Sequence, residues 1–318
     1  MSGRILVLGT GGTIAGVADS PSQNTGYRAA ALSVEQLVAA IPALADYELE
    51  TRQVAQVDSK NMSFAIWTEL HAAIVEGLRD GQLDGIVITH GTDTLEETAY
   101  FLARTLLAAK PVVLTAAMRP ATALSADGPQ NLLDAARLAT DPAAAGVRVC
   151  IHGQVFPGHA VRKRHPYAVN AFASSREETA TLEEGWYTTP AALPEPLTFE
   201  PDLPWAWVET VWSGAGQDGR SVDALVAAGV QGLVVAATGN GTLADGLLEA
   251  LRRAQTVGVE VVVVTRCPEG HIVGQPDHGL PCLGVTVPQA RVELLLLIRW
   301  KQGMRRARAA AQTAQAAS

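Results

Sequence analysis

Several features that would place a protein in a specialised class are scarce or missing in this sequence. The 318 residues include only 3 cysteines, which stand far apart and form no C-x-x-C pair, so a disulfide framework is not expected. No apolar run reaches the roughly 20 residues that a membrane-spanning helix needs. Basic residues are outnumbered, 24 Lys and Arg against 32 Asp and Glu, and the formal charge of −8 argues against a nucleic-acid-binding surface.

The N-terminus also lacks the marks of a secretory signal. It has no charged segment, no long apolar stretch and no small-residue cleavage site, and it enters an apolar run almost at once. A cytoplasmic location is therefore the default expectation, with the periplasm as the alternative if a signal has been removed. What the chain does have is 48% hydrophobic and 18% charged residues, which is typical of a globular protein.

Apolar runs and amphipathic segments alternate along the chain, as in a doubly wound sheet. The predicted strands are 4–9, 47–57, 84–89, 111–116, 147–151, 232–237, 259–265 and 281–287. The predicted helices begin at Ser33 and Ser63 and cover 94–107, 129–138, 242–254 and 289–300. Ser33 with Gln36, and Thr94 with Glu97, have the spacing of capping boxes. The helix after Ser63 is predicted to bury Ile66, Leu70, Ile74 and Leu78.

A proline-rich stretch interrupts this alternation. Five prolines between 190 and 204 cannot continue a helix or a central strand. The sequence thus predicts a larger N-terminal doubly wound, mainly parallel α/β domain over 1–189, a linker over 190–207, and a smaller C-terminal α/β domain over 208–318.

Two glycine-containing turns carry the chemistry-bearing residues. Gly9–Gly16 follows the first apolar run, and Thr89–Thr94 follows the run Ile86–Ile88. Ligands of such sheets bind beyond the carboxyl ends of the strands where the chain order reverses, and in the strand order 2-1-3 these two turns are neighbours. Thr13 and Thr92 would then bring two hydroxyls together, which suggests nucleophilic chemistry.

Other interpretations of these turns fit less well. The dinucleotide fingerprint would need glycine where Ile14 stands, and the phosphate-loop pattern lacks its Lys-Ser/Thr. No G-x-S-x-G elbow is present, and the seven histidines show no metal-ligand spacing, so no metal site is expected. His90 is expected to have a structural hydrogen-bonding role, and Thr92 with Asp93 could simply cap the helix that follows.

The segments Thr10–Ile14 and Thr89–Thr94, taken together, resemble those of the bacterial-type L-asparaginase/glutaminase family, and the likeness extends through Gly239-Asn240-Gly241 to Thr265–Pro268. The resemblance implies hydrolysis of L-asparagine to L-aspartate and ammonia through an acyl-enzyme, with L-glutamine as a candidate second substrate and no cofactor. It also implies a homotetramer of intimate dimers, with each site completed by a neighbouring subunit.

The resemblance also assigns roles to individual residues. Thr13 is the implied primary nucleophile, assisted by Tyr27 from a lid, and Thr92 with Lys163 forms a second hydroxyl–amine relay. Asp93 holds the substrate's α-ammonium group, and Ser59, within Asp58-Ser59-Lys60, binds its α-carboxylate. Lys163 could act as a base only if burial and cations lowered its pKa, whereas Asp93 acts in the opposite direction. Which threonine attacks first, and which group takes its proton, therefore stays open.

Some positions depart from the family pattern or stay ambiguous. Glu269 and Asp277 are the candidates for a carboxylate supplied by the neighbouring subunit, and neither matches cleanly, while Thr242 stands where relatives have a polar residue that reaches the neighbour's site. Backbone amides at Gly12 or after Thr92 are the expected oxyanion donors. The alternative functions are an asparagine-binding sensor and a subunit of a tRNA-linked amidotransferase.

Overall fold

The computed structural model describes residues 3–174, 180–181 and 195–316, and its chain contacts divide into two compact units, Met1–Pro196 and Leu197–Ser318. The larger first unit contains a mainly parallel sheet, and the second contains a smaller parallel sheet with its own helices. The predicted fold class is therefore confirmed. Among the described residues, no helix combines the length and the hydropathy that a membrane span requires.

The strands of the first unit are β1 (Arg4–Gly11), β2 (Glu48–Val57), β3 (Gly85–Thr89), β4 (Pro111–Thr115), β5 (Gly146–Ile151), β6 (Gln154–Pro157), β7 (Val161–Lys163), β8 (Phe172–Ser174) and β9 (Ala180–Thr181). Within the described residues, the main sheet has the order β2-β1-β3-β4-β5-β6-β9, with its first five strands parallel, and β7 and β8 form an antiparallel pair. The predicted order 2-1-3 is confirmed. Because β3 and β4 are buried along their whole length, they read as unbroken apolar runs in the sequence.

The helices of this unit are α1 (Val34–Ala39), α2 (Phe64–Arg79), α3 (Leu95–Thr105) and α4 (Gly128–Ala139). The capping box at Ser33 and Gln36 is present, and Ser63 caps α2. Leu70 and Ile74 of the predicted apolar stripe are buried in α2, whereas Ile66 and Leu78 are only half-buried. The buried face of α2 begins at Trp67, which lies one helical turn before Leu70 and two turns before Ile74.

The capping box predicted at Thr94 is wrong. The Thr94 side chain makes no capping bond to α3, and its hydroxyl instead donates to the carbonyl oxygen of Ser59 at 2.8 Å. The Thr94 hydroxyl thus bonds to a residue distant in sequence instead of capping its own helix, as the capping-box spacing had predicted. Thr94 therefore ties the start of α3 to the segment that follows β2.

The second unit contains β10 (Val208–Trp212), α5 (Arg220–Ala227), β11 (Gly232–Ala237), α6 (Asp245–Thr256), β12 (Glu260–Thr265) and α7 (Val287–Ala316), with sheet order β10-β11-β12. The sequence missed β10 and α5. The strand predicted over 281–287 is wrong. Residues 281–286 form no strand, and the segment pairs with β12 only through an isolated bridge between Cys282 and Val263. The last helix extends well past its predicted end at residue 300, and residues 305–313 lie exposed on it.

The predicted linker is only partly within the described residues, since 190–194 lie outside them. Residues 195–207 contain no helix or strand, and β10 begins at Val208. The domain limits at 189 and 208 stay a prediction. Each unit has its own hydrophobic core, one including Val7, Val87 and Leu132 and the other including Val235 and Leu251.

Candidate active site

The two glycine-containing turns meet at the carboxyl ends of β1 and β3. These strands pair in parallel up to Gly9 and Thr89, and the Thr10 hydroxyl donates to the Thr89 carbonyl oxygen at 2.9 Å. Beyond the strands, the backbone of Gly12 lies directly against that of Gly91, so that a Cβ at Gly12 would collide with Gly91 Cα and N. Gly12 also has a φ of 84°, which favours glycine. The close approach of the two turns brings Thr13 and Thr92 to the same edge of the sheet.

Thr13 has a hydrogen-bond partner suited to proton transfer. Its Oγ1 lies 2.6 Å from the Tyr27 hydroxyl, and Thr13 is only 7% exposed. Burial raises the pKa of Tyr27, an effect that the hydrogen bond with Thr13 opposes in part. Tyr27 is therefore a neutral phenol at pH 7, which can accept a proton from Thr13 only while passing its own to another acceptor.

Thr92 belongs to a second, separate relay. Lys163 Nζ donates to Thr92 Oγ1 at 2.9 Å and to Asp93 Oδ1 at 2.6 Å, and the Lys163 backbone N–H donates to Glu96 Oε2 at 2.8 Å. Because Thr92 accepts from Lys163, its own hydroxyl proton is free to be donated to a bound molecule. The Lys163 side chain is 15% exposed and that of Asp93 is 57% exposed, so the carboxylate is the accessible end of this ion pair.

Ser59 contacts the segment that contains Gly91 and Asp93. Its hydroxyl oxygen accepts the Asp93 N–H at 3.2 Å, and Ser59 is buried. A Cβ at Gly91 would lie 2.5 Å from Ser59 Oγ, so glycine is required there for the segments to meet. The Ser59 O–H remains available as a donor, which suits an anionic group.

Asp58 and Lys60 flank Ser59 and pair with each other. Lys60 Nζ lies 2.7 Å from Asp58 Oδ2, and the Asp58 side chain also accepts the Lys60 N–H at the start of a short 3-10 turn. The hydrogen bond and charge of Asp58 raise the pKa of Lys60, with smaller contributions from Asp93 and Tyr27. No role was predicted for Lys60 from the sequence. A lysine in a polar loop is ordinarily a solvated surface charge.

Two of the expected oxyanion donors are already engaged. The Gly12 N–H donates to the Val57 carbonyl oxygen at 2.9 Å, and the Asp93 N–H donates to Ser59. The prediction that Gly12 supplies such a donor is therefore wrong for this structure, because β2 takes its N–H. Among the described residues, the Thr92 N–H has no acceptor.

His90 is fully buried and lies in a chain of side-chain hydrogen bonds. Its Nε2 is 2.9 Å from Thr98 Oγ1, and Trp67 Nε1 donates to the same Thr98 oxygen at 2.9 Å. Burial lowers the pKa of His90 to about 4, an effect that the bond to the Gly91 carbonyl opposes. His90 is thus neutral at pH 7, consistent with a structural role. No motif in the sequence pointed to Trp67 or Thr98 as part of the site.

The first unit brings together most of the predicted site. Contacts link Tyr27 to Thr13, Gly12 to Gly91, and Ser59 through Asp93 and Lys163 to Thr92. Thr242 lies in the second unit, where its hydroxyl bonds with Thr238 at 2.9 Å. Within the part of the chain that the structure describes, no group of three or more His, Cys, Asp or Glu side chains is arranged to hold a metal ion.

A doubly wound parallel sheet with hydroxyl groups, a lysine and a carboxylate at its carboxyl edge defines an α/β enzyme with a small polar site. Residues 4–189 match the family model "Asparaginase, N-terminal", and residues 208–310 match the "Glutaminase/Asparaginase C-terminal domain". The chain belongs to the asparaginase/glutaminase family.

Individual members of this family are similar to the chain in sequence and in structure. L-asparaginase 2 of Bacillus subtilis is 34% identical, over 93% of this chain and 82% of that protein. A probable periplasmic L-asparaginase of Haemophilus influenzae is 36% identical, over 93% and 88%. The crystal structure of a probable cytoplasmic L-asparaginase from Campylobacter jejuni superposes with a TM-score of 0.84 at 35% identity, covering 93% of this chain and 95% of that one.

Proposed function

We propose that this protein is an L-asparaginase that hydrolyses the side-chain amide of L-asparagine to L-aspartate and ammonia, and that Thr13 is its nucleophile. The observation that carries the assignment to Thr13 is its 2.6 Å hydrogen bond to Tyr27, in a buried turn beside the Thr92–Lys163 pair. L-Glutamine is the proposed second substrate, since the family description includes glutaminases.

In the first chemical step, Thr13 Oγ1 attacks the amide carbon and forms an ester bond. The Thr13 proton passes to the Tyr27 oxygen as the phenol gives its own proton to the amide nitrogen. The C–N bond then breaks and ammonia leaves. The neutral state of Tyr27 fits this shuttle, because a phenol with a raised pKa transfers protons without holding a negative charge.

In the second step, a water molecule attacks the ester carbon. The C–Oγ1 bond breaks, one water proton returns to Thr13, and the β-carboxyl group of aspartate is released. We assign Thr92 and Lys163 to positioning this water and stabilising the intermediate, because Lys163 donates to Thr92 and leaves its hydroxyl proton free. For the oxyanion of both steps, we propose the Thr92 N–H as a donor.

Recognition of the amino-acid end of the substrate is assigned to Asp93, which follows Thr92 in the sequence, and to Ser59, which is joined to Asp93 by a hydrogen bond. The accessible carboxylate of Asp93 is the proposed partner of the α-ammonium group, and the free O–H of Ser59 is the proposed partner of the α-carboxylate. Asp58 and Lys60 lie next to this position as an ion pair, and Asp58 is the proposed further binding residue. Thr242 is proposed to reach the site of a neighbouring subunit.

The assembly and location of the protein are also proposals. We propose a homotetramer of intimate dimers, following the family resemblance. We propose a cytoplasmic location on the likeness to the Campylobacter jejuni protein, with the periplasm of the Haemophilus influenzae relative as the alternative.

The test is ammonia release from L-asparagine and L-glutamine, measured in parallel for the wild type, Thr13→Ala and Thr13→Ser. We expect turnover by the wild type, loss in Thr13→Ala with unchanged circular dichroism, and partial retention in Thr13→Ser, which keeps a hydroxyl. Near-normal kcat in Thr13→Ala would overturn the assignment of the nucleophile. Binding of L-asparagine by the wild type without ammonia release would instead indicate a sensor.

A further inference from the structure

Behind the proposed site, three buried side chains form a continuous hydrogen-bond chain. Trp67 on α2, Thr98 on α3 and His90 after β3 are each at most 3% exposed. Trp67 Nε1 and Thr98 Oγ1 are 2.9 Å apart, Thr98 Oγ1 and His90 Nε2 are 2.9 Å apart, and His90 Nδ1 lies 2.7 Å from the Gly91 carbonyl oxygen. The chain thus ends on the backbone of the turn that carries Thr92.

The direction of every bond in this chain is determined by its two ends. An indole N–H can only donate and a carbonyl oxygen can only accept, so Trp67 donates to Thr98 and His90 Nδ1–H donates to Gly91. A neutral imidazole with its proton on Nδ1 accepts at Nε2, and the Thr98 hydroxyl therefore donates to His90. The hydrogen-bond chain therefore stabilises one tautomer of His90, with its proton on Nδ1.

Fixing the Gly91 carbonyl also fixes the next N–H. The carbonyl of Gly91 and the N–H of Thr92 belong to one planar trans peptide group, in which they point in opposite directions. Because the carbonyl faces the buried His90 ring, the Thr92 N–H faces away from it, and among the described residues that N–H has no acceptor. Gly12 and Ser59 pack against Gly91 and leave its backbone little room to turn.

We propose that Trp67, Thr98 and His90 are positioning residues, which lock the Gly91–Thr92 peptide so that the Thr92 N–H is directed at the oxyanion of the reacting amide. This inference rests on the proposed amidohydrolase function. A preorganised donor of this kind stabilises charge that develops in the transition state, and it contributes little to ground-state binding. Breaking this hydrogen-bond chain should therefore lower kcat much more than it changes KM.

The central experiment compares Thr98→Val with Thr98→Ser. Valine keeps the shape of threonine but leaves Nε2 of His90 without its donor, whereas serine keeps the hydroxyl. We expect Thr98→Val to lower kcat for L-asparagine by roughly tenfold to a hundredfold with KM within roughly threefold of the wild type. Thr98→Ser should restore most of kcat.

Thr105→Val is the matched control for the loss of a buried hydroxyl. Thr105 lies on the same helix, and its hydroxyl donates to the Phe101 carbonyl oxygen at 2.8 Å, whereas the His90 ring bonds to Thr98 and Gly91. It should lower the thermal midpoint while leaving kcat near the wild-type value. An equal fall of kcat in Thr105→Val and Thr98→Val would overturn the proposal, and so would wild-type kcat in Thr98→Val.

A second measurement does not depend on the variants folding. Nitrogen-15 NMR of histidine-labelled wild-type protein at pH 7, assigned with His90→Asn, should show His90 neutral with its proton on Nδ1. A proton on Nε2 would contradict the chain directly. Failure of the wild type to release ammonia would contradict the proposed function instead, so the two failures are distinguishable.

Discussion

At the scale of single residues, the two threonines differ in their partners. Thr13 bonds to a phenol whose pKa burial raises further, and Thr92 bonds to a lysine that also pairs with Asp93. A neutral phenol suits the transfer of a proton between Thr13 and a leaving group. A lysine that donates to Thr92 suits the orientation of water. The different partners are the physical basis for assigning acylation to Thr13.

Removing the Tyr27 hydroxyl tests the first of these relays. Tyr27→Phe should lower kcat for L-asparagine by about a hundredfold or more with a smaller change in KM, because the proton of Thr13 loses its path. Tyr47→Phe is the matched control, since Tyr47 precedes β2 at the opposite end of the sheet and packs against the core. Steady-state kinetics that gave the two variants the same kcat would contradict the role of Tyr27.

The buried His90 makes stability depend on pH. Its pKa is about 4 in the folded protein against 6.5 in the unfolded chain, so as the pH falls below 6.5 protons bind the unfolded chain first. The free energy of unfolding should therefore fall between pH 6.5 and pH 4, by up to about 3 kcal/mol from this residue. The pKa of His71 is also lowered by burial and acts in the same direction. Urea titrations should give His90→Asn a shallower pH dependence than the wild type, and equal slopes would contradict this account.

At the scale of elements, the site exists because two turns after neighbouring parallel strands touch. The apolar runs predicted β1 and β3, the common strand order 2-1-3 of doubly wound sheets placed them side by side, and glycine next to threonine marked the turns. Local patterns failed where a distant partner decided the outcome: Thr94 donates to Ser59 rather than to its own helix, and the Gly12 N–H is taken by Val57. Trp67 and Thr98 could not be predicted as a pair, because α2 and α3 bring them together only in the folded chain.

The contact between the turns can be tested at Gly12. A Cβ there would strike Gly91, and the positive φ strains any other residue, so Gly12→Ala should destabilise the protein by about 2–4 kcal/mol. It should also abolish most activity by separating Thr13 from Thr92. Gly81→Ala is the control, because among the described residues, its chain neighbours aside, none has an atom within 4 Å of the added Cβ. Denaturant unfolding that gave both variants wild-type stability would show that the turns are not in close contact.

At the scale of the whole molecule, the chain has two units with separate cores, each built on a parallel sheet. The sequence predicted this organisation from a proline-rich interruption between two alternating patterns. It did not predict β10, α5 or the length of α7, because short strands and exposed, alanine-rich helix ends have weak apolar periodicity. The role proposed for Thr242 depends on contact with a neighbouring subunit, which no local sequence pattern specifies.

The proposed assembly has a direct physical consequence. Sedimentation equilibrium should give about four times the chain mass of 33.3 kDa, unchanged in Thr13→Ala, since that variant alters only the nucleophile. Ammonia release per subunit should fall on dilution as the oligomer dissociates. A stable monomer with full specific activity would contradict the proposal that neighbouring subunits complete each site.

The central claim is that Thr13 carries the acyl group during hydrolysis, and the most direct measurement locates that group. The wild type would be mixed with L-asparagine, quenched in acid within milliseconds, digested and analysed by mass spectrometry. The account predicts one aspartyl ester on the peptide that contains Thr13, and its absence from Thr13→Ala. An ester on Thr92, or steady turnover with no ester on either threonine, would contradict it.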